Sequence, residues 1–218
     1  FELYINEAES PSKKVDIKES TIKTYRTTLK CLQYFNMHRT LLTDIDMNWY
    51  YDFISMAEQG GAKRKPFSLN YIAKNIKKIK RALRFVEDSG QAVNPAFKST
   101  SFQACEEEVD DIALSLDELQ QIREIDIPLQ NVSLTVTRDL FMIGCFTGLR
   151  VSDYNRLSKD HFRVIGGKKM FEIRSEKTEE MLTIPIKPIV TDIIDSYGGD
   201  LPPSQNDYII NKNLKKLG

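Results

Sequence analysis

The sequence predicts a mainly α fold with a small antiparallel β-sheet, divided into two domains. Three observations carry this expectation. Apolar residues recur at helical spacing along most of the chain, residues 161–186 alone switch to a period of two around two turns, and the sign of the charge reverses between the two parts. At 218 residues, each part is long enough to bury its own core.

The first part reads as helices. Residues 18–37 place Ile22, Tyr25, Leu29, Leu32 and Phe35 at helical spacing, with Ser20 as the expected N-cap. A second helix is expected over 46–58, where MNWYYDFISMA is too continuous in large side chains for a solvated loop. The glycines and proline of QGGAKRKPFS then break the pattern. Ser68 opens a third, longer helix that stops near Ser89 and Gly90. On its helical wheel Leu69, Ile72, Ile76, Ile79, Leu83 and Val86 form one stripe, and Lys74, Lys77, Lys78 and Arg81 fall opposite.

Residues 91–112 lose the periodicity and turn acidic, so the expected organisation is a first domain over 1–100, a linker over 101–111 and a second domain over 112–218. Ser115 and Glu118 form a capping box ahead of a helix. An apolar helix follows over 132–146, ended by Thr147-Gly148, and a short helix starts at Ser152. HFRVIGGKKMFEIRSEKTEEMLTIPI alternates around Gly166-Gly167 and again around SEKTEE, which predicts a three-stranded antiparallel sheet. Helices over 188–197 and about 211–217 complete the chain.

The formal net charge of zero conceals an asymmetry. Basic residues outnumber acidic ones 17 to 11 over residues 1–100, and acidic outnumber basic 20 to 14 over 101–218. Nine basic residues and no acid lie between Lys63 and Arg84, so a polyanion is drawn to this stretch. A solvated surface helix is the plainer reading, but such helices mix signs for i,i+4 pairing and this one does not.

Other chemistries find little support. Cys31, Cys105 and Cys145 are odd in number, widely spaced and never CxxC, so neither a disulfide framework nor a zinc site is indicated, and only His38 and His161 could add imidazole ligands. No apolar run approaches the roughly 20 residues that span a bilayer, and the first residues lack a signal-peptide pattern, which together read as a cytoplasmic protein with no membrane partner.

Two residues admit a sharper role. Arg150, in CFTGLRVSDYNRL, could pair with Asp153 or satisfy the last helix carbonyls. A guanidinium held by such a turn could equally clamp two phosphate oxygens through its planar fork. Lys177, at a hairpin tip, is either solvated or placed to donate a proton to a leaving alkoxide.

FTGLRVSDYNRL, followed by a sheet carrying SEKTEEMLTIPI, resembles the tyrosine recombinases, also called phage integrases, and is most similar to those of integrative and conjugative elements in Bacteroidetes. The family commonly reads Lys-Thr-Gly before the Ile-Pro strand, and Glu179 stands here in place of that glycine. The resemblance covers nearly the whole chain. It implies a helical SAM-like core-binding domain over 1–100 and the N-terminal part of an α+β catalytic domain over 112–218.

The resemblance also implies an activity: binding duplex DNA, cutting it and rejoining it through a 3′-phosphotyrosyl intermediate, with neither metal nor other cofactor. Arg150 then matches the arginine that holds the scissile phosphate, Asp153 an acid that buttresses the site, and Lys177 the general acid toward the 5′-hydroxyl. The DNA-binding candidates are Lys63, Arg64, Lys65, Asn70, Lys74, Lys77, Lys78 and Arg81. The family's His-x-x-Arg box and nucleophilic tyrosine are expected beyond Gly218, since His161, Tyr197 and Tyr208 sit in the wrong contexts. A fragment is therefore expected, inactive and monomeric alone, from a protein that assembles as a tetramer on paired DNA sites. A catalytically silent DNA-binding or regulatory module of the same fold is the main alternative, and a protein-interaction domain the third.

Overall fold

In the computed structural model, which describes residues 2–10, 17–61, 65–103, 106–110 and 112–218, helices flank one small sheet. The chain divides into two units, residues 1–110 and 111–218. In the first, α1 (Glu2–Glu9), α2 (Glu19–Tyr34), α3 (Met47–Gln59) and α4 (Leu69–Asp88) pack together, with 3₁₀ turns at Leu42–Asp44 and Pro95–Lys98. Two of these starts follow from side-chain caps: Asp46 accepts the Trp49 amide at 2.9 Å and Ser68 the Tyr71 amide at 3.3 Å. The start of α2 differs from expectation. Its first turn closes on the Lys18 carbonyl, which accepts the amides of Thr21 and Ile22, and Ser20 does not cap it.

The apolar stripe of α4 meets the core. Ile72, Ile76, Ile79, Leu83 and Val86 are buried and Leu69 is half-buried. All but Leu69 and Val86 belong to one cluster with Leu32, Trp49 and Phe53. The rings of Trp49 and Phe53 stack at 5.8 Å. Helix α1, not anticipated from the sequence because two turns carry too short a pattern, buries Tyr4, Ile5 and Ala8 in a second cluster with Ile22, Tyr25 and Ala82. One polar link crosses this interior: the Thr28 hydroxyl lies 2.7 Å from Asn75 Oδ1, and the Asn75 amide donates to the Tyr71 carbonyl at 2.8 Å. Phe97 and Phe102 are fully buried in the first cluster, so the segment read as linker over 101–111 carries a core residue at its second position.

The second unit runs α5 (Leu116–Glu124), α6 (Val132–Thr147), α7 (Val151–Tyr154), a 3₁₀ turn (Lys159–His161), β1 (Phe162–Ile165), β2 (Lys168–Arg174), β3 (Met181–Pro185), α8 (Pro188–Ser196) and α9 (Asp207–Leu217). The capping box forms, with the Ser115 amide 2.7 Å from the Glu118 carboxylate and the Glu118 amide 3.2 Å from Ser115 Oγ. The sheet is antiparallel in the order β1-β2-β3, pairing Phe162 with Phe171 and Glu172 with Thr183. Phe171 and Ile173 alternate inward against Leu140, Met142, Ile143 and Val190. Helix α9 begins earlier than expected because Asn206 caps it, accepting the Tyr208 amide at 2.8 Å. It docks through buried Ile210 and through the Asn213 amide, which donates to Thr137 Oγ1 at 2.9 Å. Among the described residues, no helix is long and apolar enough to cross a membrane.

Candidate functional site

The corner between α6 and α7 determines where Arg150 sits. Gly148 ends α6 with φ 68°, a left-handed conformation in which its amide donates to the Gly144 carbonyl at 2.9 Å. The Tyr154 ring lies so close to α6 that a Cβ on Gly144 would be 2.6 Å from it. Leu149, Tyr154 and Leu157 are buried on one side of the corner. Arg150, between them, becomes the N-cap residue of α7 with extended backbone (φ −67°, ψ 156°), and its side chain stays exposed.

Three groups converge on Asp153, whose side chain is wholly inaccessible to solvent. Its carboxylate accepts the Glu176 amide at 2.9 Å, Arg156 Nη2 at 3.0 Å and the Ser175 hydroxyl at 3.3 Å. Ser175 Oγ in turn accepts from Arg150 Nη1 at 3.3 Å. Burial opposes ionisation of Asp153, but the Glu176 amide and the contacts with Arg156 and Ser175 outweigh it and hold the carboxyl below its usual value. Among the described residues, the ion pair to Asp153 is made by Arg156, which also donates to the Arg174 carbonyl. Among the described residues, Arg150 reaches Asp153 through the Ser175 hydroxyl, a contact that takes one of its five N–H donors.

The Lys177 hairpin is tied to the same carboxylate. Its turn is closed by the Ser175 amide to the Glu180 carbonyl at 2.8 Å and the Glu179 amide to the Ser175 carbonyl at 2.9 Å. Glu179 adopts φ 61°, a conformation that favours glycine. The position at which the sequence departs from Lys-Thr-Gly is therefore the one whose backbone asks for a glycine. Lys177 is exposed on this turn. Ser175 and Arg156 escaped the sequence reading. Arg156 had a legible signal in its i,i+3 spacing from Asp153, whereas nothing in RSEKTEE marks the serine.

The basic residues of the first unit are less uniform than their wheel suggests. Lys65, Lys74, Lys77 and Arg81 are exposed, while Lys78 is half-buried and donates to the Thr24 carbonyl at 3.4 Å. Arg81 Nε donates to the Tyr4 hydroxyl at 3.0 Å, which fastens α1 to α4. Lys77 pairs with Glu106 at 2.7 Å, and Asn70 exchanges two hydrogen bonds with the Glu107 backbone, at 3.1 and 2.9 Å. Lys63 and Arg64 lie outside the described residues.

Other candidate groups are placed by structural contacts. The Tyr197 hydroxyl donates to Asp139 Oδ2 at 2.9 Å, and burial followed by the Asp139 charge and hydrogen bond pushes its phenol well above the ordinary range. His161 Nδ1 accepts the Ser158 amide at 3.0 Å. Tyr208 projects from α9 with 72% of its surface exposed. Among the described residues, no group of three or more His, Cys, Asp and Glu side chains is arranged to hold a metal ion.

No family model matches the sequence, and no curated protein matches it either. Solved structures do match. A lambda integrase (residues 75–356) dimer bound to a COC′ core site superposes with a TM-score of 0.74 at 15% identity, over 100% of this chain and 77% of that one. A lambda integrase tetramer bound to a Holliday junction gives 0.71 at 16% identity, covering 99% of this chain and 62% of that one. The XerH site-specific recombinase in a post-cleavage complex with a palindromic difH substrate gives 0.51 at 20% identity, covering 81% and 52%. At these identities the likeness establishes the fold: helical, with a small antiparallel sheet, as in these integrases.

Proposed function

We propose that the chain acts in a tyrosine-type site-specific DNA recombinase of the mobile-element integrase kind, binding duplex DNA and contributing to strand cleavage and rejoining. The observation that carries this reading is the link Arg150–Ser175–Asp153, which joins an exposed guanidinium to the hairpin bearing Lys177. The shared fold with DNA-bound integrases supports it.

Each residue then has a chemical task. Arg150 grips two non-bridging oxygens of the scissile phosphate and stabilises the charge that builds on them as the phosphorus becomes pentacoordinate. Asp153 holds the corner and the hairpin in one geometry, and Arg156 neutralises it so that Arg150 need not. Lys177 donates a proton to the departing 5′-oxygen. The nucleophile is a tyrosine other than Tyr197 or Tyr208: the first is committed to Asp139, and the second, exposed on α9, stands in a sequence context unlike that of the family's nucleophile. Lys65, Lys74, Lys77, Lys78 and Arg81 bind the phosphate backbone from the first unit, and Asn70, among them, reads a base edge. In the working assembly, four protomers gather on paired DNA sites.

Arg150→Ala, made in a protein carrying this chain and the tyrosine nucleophile, is expected to abolish cleavage of target DNA while leaving duplex binding within about threefold. Cleavage that survives the substitution overturns the catalytic assignment. Binding without cleavage in the unsubstituted protein leaves a DNA-binding module of the same fold. A covalent DNA adduct at Tyr197 or Tyr208 overturns the placement of the nucleophile.

A further inference from the structure

Three contacts run down one flank of α4 in reverse order along the chain. Lys80 Nζ donates to the Phe102 carbonyl at 2.7 Å, Lys77 Nζ pairs with Glu106 at 2.7 Å, and Asn70 exchanges its two hydrogen bonds with the Glu107 backbone. From Lys80 to Asn70 the helix rises about 15 Å. The three anchor points Phe102, Glu106 and Glu107 therefore meet the helix in antiparallel order, as a strap along its flank. Its upper end is fixed by buried Phe102, and its lower end carries Glu106, Glu107, Glu108 and Asp110, all exposed.

We propose that this acidic strap is a built-in competitor for DNA: it occupies the Asn70–Lys77 flank of α4 in the free protein and is displaced when duplex DNA binds there. The inference rests on the reading of α4 as a DNA-facing helix and adds its regulation. The strap supplies acids to the Asn70–Arg84 stretch of α4, which has none, and it engages both the Nδ2 and the Oδ1 of Asn70, so that the bidentate use of this amide on a base edge requires the strap to lift. Its hold is weak enough to be reversible. Both charges of the Lys77–Glu106 pair are about half exposed, at 56% and 44%, and such pairs contribute little in water. A phosphate backbone, with many charges acting together, outcompetes it at low salt. The strap thus raises the threshold for weak, sequence-independent association.

The test uses the chain as it stands and a 20-base-pair duplex at low salt, read by fluorescence anisotropy, with backbone amide exchange at Glu107 measured in parallel. Glu106→Gln is expected to tighten binding by about three- to tenfold, from the loss of one surface pair and its like-charge repulsion of DNA. Glu108→Gln removes the same charge from a residue outside the three contacts and is expected to change binding by less than half as much. Exchange of the Glu107 amide, which donates to Asn70 Oδ1, is expected to accelerate when DNA is added. If DNA binds but the two variants are equivalent, or Glu107 becomes more protected, the strap is overturned and the DNA-binding reading stands. If neither the unsubstituted chain nor any variant binds, the DNA-binding reading fails and the strap fails with it.

Discussion

Asp153 Oδ1 accepts the backbone amide of Glu176 at 2.9 Å, so the residue preceding Lys177 is fastened to α7, the helix whose N-cap residue is Arg150. Removing that carboxylate leaves a half-satisfied buried cluster. Asp153→Ala is expected to destabilise the second unit by about 3 kcal/mol. Far-UV circular dichroism during urea unfolding would show it. The fluorescence transition of Trp49, the chain's only tryptophan, belongs to the first unit and is expected to stay in place.

The same group sets a pH dependence. The folded-state pKa of Asp153 is lowered, so its stabilising contribution is complete above the unfolded carboxyl value of about 3.9 and is lost as pH falls through the lower folded value. Thermal unfolding from pH 6 down to pH 2 is expected to show the second unit weakening below about pH 4. In Asp153→Asn that part of the slope should vanish. An unchanged slope would place the acid sensitivity elsewhere.

Gly144 faces the Tyr154 ring at a distance no side chain tolerates. Gly144→Ala is expected to cost about 1–3 kcal/mol and to loosen the corner that carries Arg150. Pairing it with Tyr154→Leu, which frees the space, should recover part of the loss. A double variant no more stable than Gly144→Ala alone would show that the contact is not the cause.

At the hairpin tip, Glu179 holds a left-handed backbone without being glycine. Glu179→Gly is expected to raise stability by up to about 1 kcal/mol, because relief of the conformational cost exceeds the extra entropy glycine loses on folding. Glu179→Val, β-branched, is expected to lower it. Chemical denaturation of the two variants side by side decides the sign.

Much of this architecture was legible in the chain. The caps at Ser68 and Ser115, the apolar stripe of α4 and the double-glycine turn are local signals, and local signals survive into the fold. What could not be read was anything fixed by distant partners. Arg156, not Arg150, pairs with Asp153 because the β2–β3 hairpin brings Ser175 between them. Arg81 looked like a free cation until α1, whose helix is too short to announce itself, delivered Tyr4 to it. Phe102 looked like linker because a single aromatic in a polar stretch has no period, yet it is a core residue.

Helix α9 shows one more consequence. Beside buried Ile210, its attachment to α6 includes a set of amide and hydroxyl bonds around Asn213, Thr137 and Ser133, groups that water can satisfy almost as well. Part of what holds α9 is thus exchangeable with solvent, whereas α6 meets the sheet through buried Leu140, Met142 and Ile143, so α9 is expected to open before α6 leaves the sheet.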